Sequence, residues 1–458
     1  MAVMSSVRPA AVAGSFYPAD PAILTGEVNE FLDGVESFDV RFGHPKVLVV
    51  PHAGYVYSGQ TAAYAYNELA TAKGIVTRVV LLGPVHRVAV RGLALPGAQA
   101  FNTPLGTIPV GAELVRAVSG LPQVVTSAPA HAMEHSLEVQ LPFLQRVLGK
   151  FTLLPLAVGA ASPEQVAEVL EAVWGGPETL IVISTDLSHY HPYDEARAID
   201  AGTIGQISRM ETGLTHEQAC GATPLNGMLA LARAKGLTIR RLDACNSGDT
   251  AGGKDRVVGY SSFALDEGST VSSEEAGRTL VGLARAAIGG RLVLRDPPKV
   301  PPAAWLARPG ATFVTLTQGE RLRGCIGSLV PRLSLGADVL SNAQSAAFSD
   351  PRFKPMTATE WANTQTEVSV LSAPKPIQFA DEDDLLEKIV AGEDGLILEA
   401  PGHRGTFLPQ VWESLPDKRQ FLTQLKLKAG LPTDFRTGRC RVLRYRVIKW
   451  KQAEFTDQ

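Results

Sequence analysis

The first 266 residues alternate short apolar runs with longer amphipathic stretches. The apolar runs lie at 46–50, 79–82, 151–158, 180–184, 237–242 and 261–265. They have strand length and are bounded by Gly, Pro or polar residues, which reads as strands buried in a sheet. Between them, residues 19–32, 59–69, 136–148, 163–173, 194–209 and 224–235 carry apolar positions at helical spacing. Strands alternating with helices predict an α/β domain, a central sheet with helices on both faces.

The pattern changes past a small polar stretch at 266–273. Ser272 or Ser273 can N-cap a helix with Glu274 and Glu275 in its first turn, where the macrodipole favours anions. Leu280, Leu283, Ala284 and Ala287 carry its apolar face to residue 287. Beyond it come strand patterns at 312–316, 367–371 and 395–398 and helical ones at 332–347, 383–390 and 418–429. Residues 295–302, rich in proline, read as an extended connector. This half is α+β. The expected organisation is a domain at 1–266, a linker at 267–273 and a second domain at 274–458.

Candidate chemistry sits at the predicted strand ends. Pro51-His52-Ala53-Gly54-Tyr55 follows one apolar run and Gly83-Pro84-Val85-His86 another. Ligands of open α/β sheets bind outside the carboxyl ends of strands, and imidazole is the commonest metal ligand. In the stretch 131–138, His131 and His135 are four apart, as are Glu134 and Glu138, so a helix would put each pair on one face. Ser136 is a plausible N-cap for the helix through Leu148. Asp186 and His189 lie three apart just after a strand, spacing that suits proton transfer or orientation of a ligand. Cys220-Gly221 precedes a helix, where a turn can bind an anion or lower a thiol pKa. Asn246-Ser247-Gly248-Asp249 follows another strand. Each cluster alone has an ordinary structural reading. Together they outline one pocket at one sheet edge.

Composition narrows the classes. The net charge of -3 gives no global signal for nucleic acid or an anionic membrane. No run of 18 apolar residues predicts a membrane span, and residues 1–6 lack the charged and apolar regions of a signal peptide. The four cysteines Cys220, Cys245, Cys325 and Cys440 form no CxxC pair and no disulfide framework, which suits a reducing cytoplasm.

Residues 1–266 resemble the Memo family. The resemblance rests on segments 13–17, 51–55, 83–86, 134–138, 184–189, Cys220-Gly221 with Pro224, and 258–261, which run in family order. It implies a fold like that of the class III, non-haem iron extradiol dioxygenases. It also implies a site built from His52, His86 and His189 with Asp186 beside the last, and Tyr55, Glu138 and Cys220 as ligand-binding residues. In Memo proteins iron or copper can be held by the histidines matching His52 and His86 and by a cysteine late in the domain. This chain departs there, since the matching position falls near Asp249-Thr250 and Cys245 lies too early. Asp249 is therefore the expected third ligand, giving a two-His, one-carboxylate set that favours Fe(II), with copper or another divalent metal as the alternative. His135 or His189 would act as acid or base, with Asp186 orienting His189. The implied activity is that of an oxidoreductase similar to non-haem iron dioxygenases, on a small-molecule or peptide substrate. The alternative is a non-catalytic adaptor using the same pocket.

In the second half, Leu322-Arg323-Gly324-Cys325-Ile326-Gly327 follows the strand pattern at 312–316. Glycines permit close backbone approach, and a neighbouring arginine can activate a thiol, which makes Cys325 a candidate nucleophile. An inert buried thiol is the plainer reading. With segments 349–353, 367–372, 395–396, 405–412 and 421–426, this motif resembles the AMMECR family over 272–451. The resemblance implies a two-part α+β fold and a pocket among Arg323, Cys325, Asp350, Arg352, Glu367 and His403. Memo-like and AMMECR-like proteins belong with a radical-SAM protein in the AmmeMemoRadiSam system. No CxxxCxxC is present here to hold that protein's cluster, so it is expected as a separate partner.

Overall fold

Alternate side chains of the central strands go to opposite sides of one sheet. Leu48, Val50, Leu81 and Val182 enter one core; Val47, Val49, Val80, Ile181 and Ile183 enter the other. Strands buried on both faces are apolar at every position, and this is why Val47–Val50 and Thr179–Ser184 read as continuous apolar runs. The computed structural model describes residues 7–35, 43–70, 72–267, 271, 273–293, 295–296, 298–303 and 305–455. They form two compact units, one of the described residues within 1–36 and 44–270, the other of those within 37–43 and 271–458.

In the first unit the sheet runs His189–His191, Val257–Asp266, Val47–Val50, Thr179–Ser184, Arg78–Pro84, Thr152–Val158, Leu93–Leu95, Val124–Thr126, with Thr238–Asn246 also on Val257–Asp266. Val47–Val50, Thr179–Ser184, Arg78–Pro84 and Thr152–Val158 are parallel neighbours. Helices Pro21–Asp33, Tyr55–Asn67 and Leu141–Leu148 cover one face. Pro163–Ala172 and Ala222–Ala234 cover the other. This is the mixed α/β sheet flanked by helices that the alternation predicts. Local chemistry starts several helices: Ser162 and Gln165 form a reciprocal capping box around Pro163.

One expected start fails. Ser136 does not cap a helix; its hydroxyl donates to the Pro84 carbonyl at 2.9 Å. A 3₁₀ turn, Glu138–Gln140, leads instead into Leu141–Leu148 with Pro142 in its first turn. The small strands Ala100–Thr103, Gly106–Pro109 and Val124–Thr126 are not predicted by the apolar pattern.

The second unit is α+β. Its first sheet, ordered Arg321–Gly327, Thr312–Gln318, Gln365–Leu371, Val447–Lys451, turns Val314, Leu316, Val368, Val370 and Trp450 toward helices Ser273–Leu292 and Leu335–Phe348. The second sheet, Lys375–Pro376, Arg441–Tyr445, Gly395–Ala400, His403–Phe407, packs on Glu382–Lys388 and Lys418–Lys428. Residues 268–270 of the expected linker and the possible N-cap Ser272 lie outside the described residues. The described part of 295–302 carries neither helix nor strand.

Candidate metal centre

Three neighbouring parallel strands deliver the core of the site at their carboxyl ends. His52 follows Val47–Val50, Asp186 follows Thr179–Ser184, and His86 follows Arg78–Pro84. The middle strand carries Asp186, so the two histidines flank it. Their rings stand 5.2 Å apart at 73°. His135, from the loop before the 3₁₀ turn, stacks on His86 at 4.6 Å and lies 5.4 Å from His52.

His52 and His86 each have Nδ1 tied back into the protein. His52 Nδ1 lies 2.9 Å from Ser184 Oγ. That hydroxyl spends its one proton on the Ser136 carbonyl at 2.7 Å and also receives Gln140 Nε2 at 2.9 Å. Tyr66 donates to Gln140 Oε1 at 2.7 Å, which fixes the amide's orientation. Ser184 Oγ can therefore only accept from His52, so Nδ1 carries the ring proton and Nε2 keeps its lone pair. His86 Nδ1 is held by Glu134 Oε1 at 2.9 Å. Burial alone would raise the Glu134 pKa. The hydrogen bond and charge interaction with His86, and N–H bonds from Ser136 and His86, outweigh it and hold the carboxyl down to about 2. An ionised carboxylate on Nδ1 again leaves Nε2 as the free donor, the usual arrangement behind a metal-ligating histidine.

The third candidate donor is Cys220. Its Sγ lies 3.3 Å from His52 Nε2. Gly221 makes this approach possible, since a Cβ there would sit 2.7 Å from the Ser184 carbonyl oxygen and 2.6 Å from Thr185 Cβ. Asp186 N–H donates to the sulfur at 3.3 Å. Burial, with the Asp186 charge adding, pushes the thiol up to about 12, so a bound cation is needed to make it a thiolate. Burial and then the neighbouring imidazoles of His135 and His86 hold His52 well below the usual imidazole value, and burial lowers His135. Both rings are neutral ligands or bases at neutral pH. Asp186 accepts the His52 backbone N–H at 2.7 Å, and burial raises its carboxyl. His189 begins a short edge strand within electrostatic reach of His52, Asp186 and Asp200.

Among the described residues, two groups bring ligand atoms within 4.8 Å of one another: His52, His86 and Cys220; and His86, Glu134 and His135. The first fits a transition metal, having two oriented imidazoles and a soft sulfur. In the second, Glu134 already accepts N–H groups from His86, His135 and Ser136, so it orients ligands rather than adding one.

Comparison with known proteins matches this architecture to a family model described as Memo-like protein over residues 8–264, more than half of the chain. The chain belongs to the Memo-like protein family. An AMMECR1 model matches residues 281–450, so a Memo-like domain is fused to an AMMECR1 domain. A MEMO1 family protein of Aquifex aeolicus is 37% identical over 270 residues, covering 56% of this chain and 97% of the relative. MEMO1 family protein MTH_45 of Methanothermobacter thermautotrophicus is 34% identical over 275 residues, covering 56% of this chain and 98% of the relative. The crystal structure of uncharacterized protein PH0010 from Pyrococcus horikoshii is 35% identical, with TM-score 0.35 over 39% of this chain and 91% of that one.

Other expected site residues of the Memo-like domain have structural work. Asp249 is not in either ligand group. Its carboxylate caps its own 3₁₀ turn by accepting Asn246 N–H at 3.0 Å, and it accepts the Tyr193 hydroxyl. Cys220 stands where the carboxylate was expected, and the preference for iron that rested on an Asp249 ligand loses its basis. Tyr55 is core: its hydroxyl donates to the Val139 carbonyl at 2.8 Å and its ring packs on Tyr17, Phe31 and Phe143. Glu138 is fully buried and pairs with Arg8, Ala11 N–H, Val12 N–H and the Tyr17 hydroxyl. It anchors the N-terminal segment. Helix Ala128–Ala132 ends before residue 133, so neither expected i, i+4 pair shares a helix face; His131 is buried with Nε2 2.8 Å from the Ala94 carbonyl.

In the AMMECR1 domain the cysteine motif is itself a strand, with a bulge around Arg323 where the pairing register shifts. Gly324 is there for packing, since a Cβ would come 2.2 Å from the Ala346 carbonyl oxygen of the adjacent helix. Arg323 turns from the thiol to a two-point bridge with Glu360 at 3.0 and 3.2 Å. Asp350 accepts Cys325 N–H at 2.8 Å, is clamped by Arg352 and is held well below the usual carboxylate range by it. Arg352 also donates to the Cys325 carbonyl. These contacts brace the strand. Cys325, Thr315 and Glu367 form one cross-strand row, and Thr315 Oγ1 lies 3.4 Å from the thiol. Gln410 donates to Glu367 at 3.2 Å and lines a cavity of about 610 Å³. His403 lies apart, with Nδ1 3.0 Å from the Ala429 carbonyl. All four cysteines are free thiols. Among the described residues no helix is long and apolar enough to cross a membrane.

Proposed function

We propose that the Memo-like domain is a metal-dependent enzyme of oxidoreductase type, its metal held by His52, His86 and Cys220. The observation that carries this is the pair of imidazoles whose Nδ1 atoms are anchored while Nε2 stays free beside a thiol. Iron or copper bound there would supply Lewis acidity and one-electron chemistry. The chain's own residues do the rest. Ser184 and Glu134 hold the rings in register. His135, neutral and stacked on His86, accepts a proton from a substrate at the exposed side of His86. Asp186, which accepts the His52 backbone N–H, and His189 supply a second acid–base pair. The substrate is a small molecule or peptide, and a separate radical-SAM protein is the partner that supplies or consumes it. Fusion to the AMMECR1 domain raises the effective concentration of one half at the other.

A second reading is a ligand- or peptide-binding adaptor. Val56, Tyr57, Met133 and Tyr190 favour it, being exposed apolar side chains within five residues of His52, Glu134 or His189.

Anaerobic purification with elemental analysis separates the two. The enzyme reading expects about one first-row metal per site, held by three protein ligands with a coordination position left open, and its loss in His52→Ala/His86→Ala. Wild-type protein that takes up no first-row metal after reconstitution overturns it and leaves the adaptor.

A further inference from the structure

His189 and His191 are two apart on one strand, a spacing that puts both side chains on the same face of a regular sheet. The structure separates them. His189 pairs with Val258 and His191 with Val257, so the strand advances two residues while its partner advances one. Tyr190 is the extra residue, and it has φ of 63°, a left-handed conformation that a tyrosine rarely adopts.

The consequence follows from the partners. Directly opposed residues of an antiparallel pair point to the same face, and Val257 and Val258 point to opposite ones. Val258 shares its face with Tyr260 and Ala264, and Ala264 pairs with Leu48 on the face that also carries Val50, two residues before His52. His189 is sent to that face, the one that Leu48 and Val50 occupy. Val257 shares its face with Gly259, where a Cβ would come 2.0 Å from Asp200 Oδ2 of helix Tyr193–Ser208. His191 is sent to that face and meets Glu195 of the same helix at 3.1 Å.

We propose that Tyr190 is a positioning residue: its left-handed backbone, held by the one-residue bulge, delivers His189 to the metal pocket and diverts His191 to the helix. The importance of His189 rests on the metalloenzyme reading; the delivery itself does not. The Tyr190 ring is exposed, 5.8 Å from the His189 ring and capped by the Arg256 guanidinium at 5.0 Å. It adds little to any core, so the backbone is the part that matters. Left-handed strain at such a place is a sign of a functional demand on the neighbouring side chain.

The test compares Tyr190→Gly and Tyr190→Asn, which accept a positive φ, with Tyr190→Val, which resists it. The readout is the imidazole NMR signals of His189 and His191 in metal-free protein at fixed pH, assigned with His189→Gln and His191→Gln, with a thermal melt confirming each fold. Glycine and asparagine are expected to keep both wild-type signals, and valine to lose them. A valine variant with unchanged His189 and His191 signals overturns the proposal, and so do glycine and asparagine variants that move as far as valine. Because no metal is present, a chain that binds none would sink the enzyme reading and leave this result standing.

Discussion

Changing Glu134 to glutamine removes one negative charge and one acceptor while keeping the side chain's shape. In the native protein Oε1 accepts N–H groups from His86 Nδ1, His135 and Ser136, and Oε2 accepts the His86 backbone N–H. Holding the carboxyl down from 4.5 to about 2 corresponds, at about 1.36 kcal/mol per unit, to roughly 3 kcal/mol of native-state stability. Because the folded pKa is depressed, this stability is complete above the unfolded carboxyl value near 4.5 and is lost as pH falls toward about 2. Glutamine can orient its oxygen toward the three donors, which leaves its NH₂ facing the His86 backbone N–H. Neutral hydrogen bonds are about half as strong as charge-assisted ones, so a loss of roughly 2 kcal/mol is expected at pH 7. The deficit should shrink as pH falls below 4.5 and vanish only below about pH 2, where wild type also carries a neutral acid. Urea unfolding of metal-free protein at both pH values measures this. Metal affinity, followed by cobalt(II) titration, should fall by about 10–100-fold as His86 loses its anchor. A variant with wild-type affinity for cobalt would refute the claim that Glu134 orients a ligand. Equal urea midpoints at pH 7 would refute the electrostatic reasoning.

Cys220→Ser should abolish tight cobalt binding and the sulfur-to-cobalt absorption band. Asp249→Asn should keep both and cost only about 1 kcal/mol in a thermal melt, the value of a cap; the reverse pattern would restore Asp249 as the ligand. Glu138→Gln leaves Arg8 buried with a weakened partner, and urea unfolding should show a loss of roughly 3–5 kcal/mol, whereas a change under 1 would mean that water reaches the pair. Gly324→Ala forces a methyl against the Ala346 carbonyl, with about 1–3 kcal/mol expected from overpacking, while Cys325→Ala should melt within about 1 kcal/mol of wild type.

The fold of the first half was legible because its strands are buried on both faces. Val47–Val50 and Arg78–Pro84 have no solvent side and so no polar alternation to confuse. Helix Pro163–Ala172 was legible from the helical spacing of its apolar positions, and the structure adds the Ser162 cap. What escaped was short or half-solvated. Val124–Thr126 has intermediate and exposed positions, and Arg321–Gly327 carries two arginines, two glycines and a bulge. No period of two survives such a strand, so a motif placed only after a strand pattern turns out to be a strand itself.

The site divides in the same way. His52, His86 and Asp186 were visible because parallel strands place their next few residues at one sheet edge whatever the tertiary detail. Glu134 and Glu138 looked equivalent, four apart and both acidic. The helix that would have aligned them stops at Ala132, so one carboxylate orients His86 and the other binds Arg8. With the third metal ligand expected at Asp249, Cys220 reads as a helix-entry turn and a ligand-binding residue. Its partner His52 is 168 residues away, and nothing local links them. The usable signal was Gly221: a glycine beside a cysteine at a helix start points to a backbone that must come close to something. Here it is the end of the central strand, and the closeness brings the sulfur to the imidazole. Spacing finds ligands that share an element. Ligands that meet across the sheet are found by asking which glycines the packing demands.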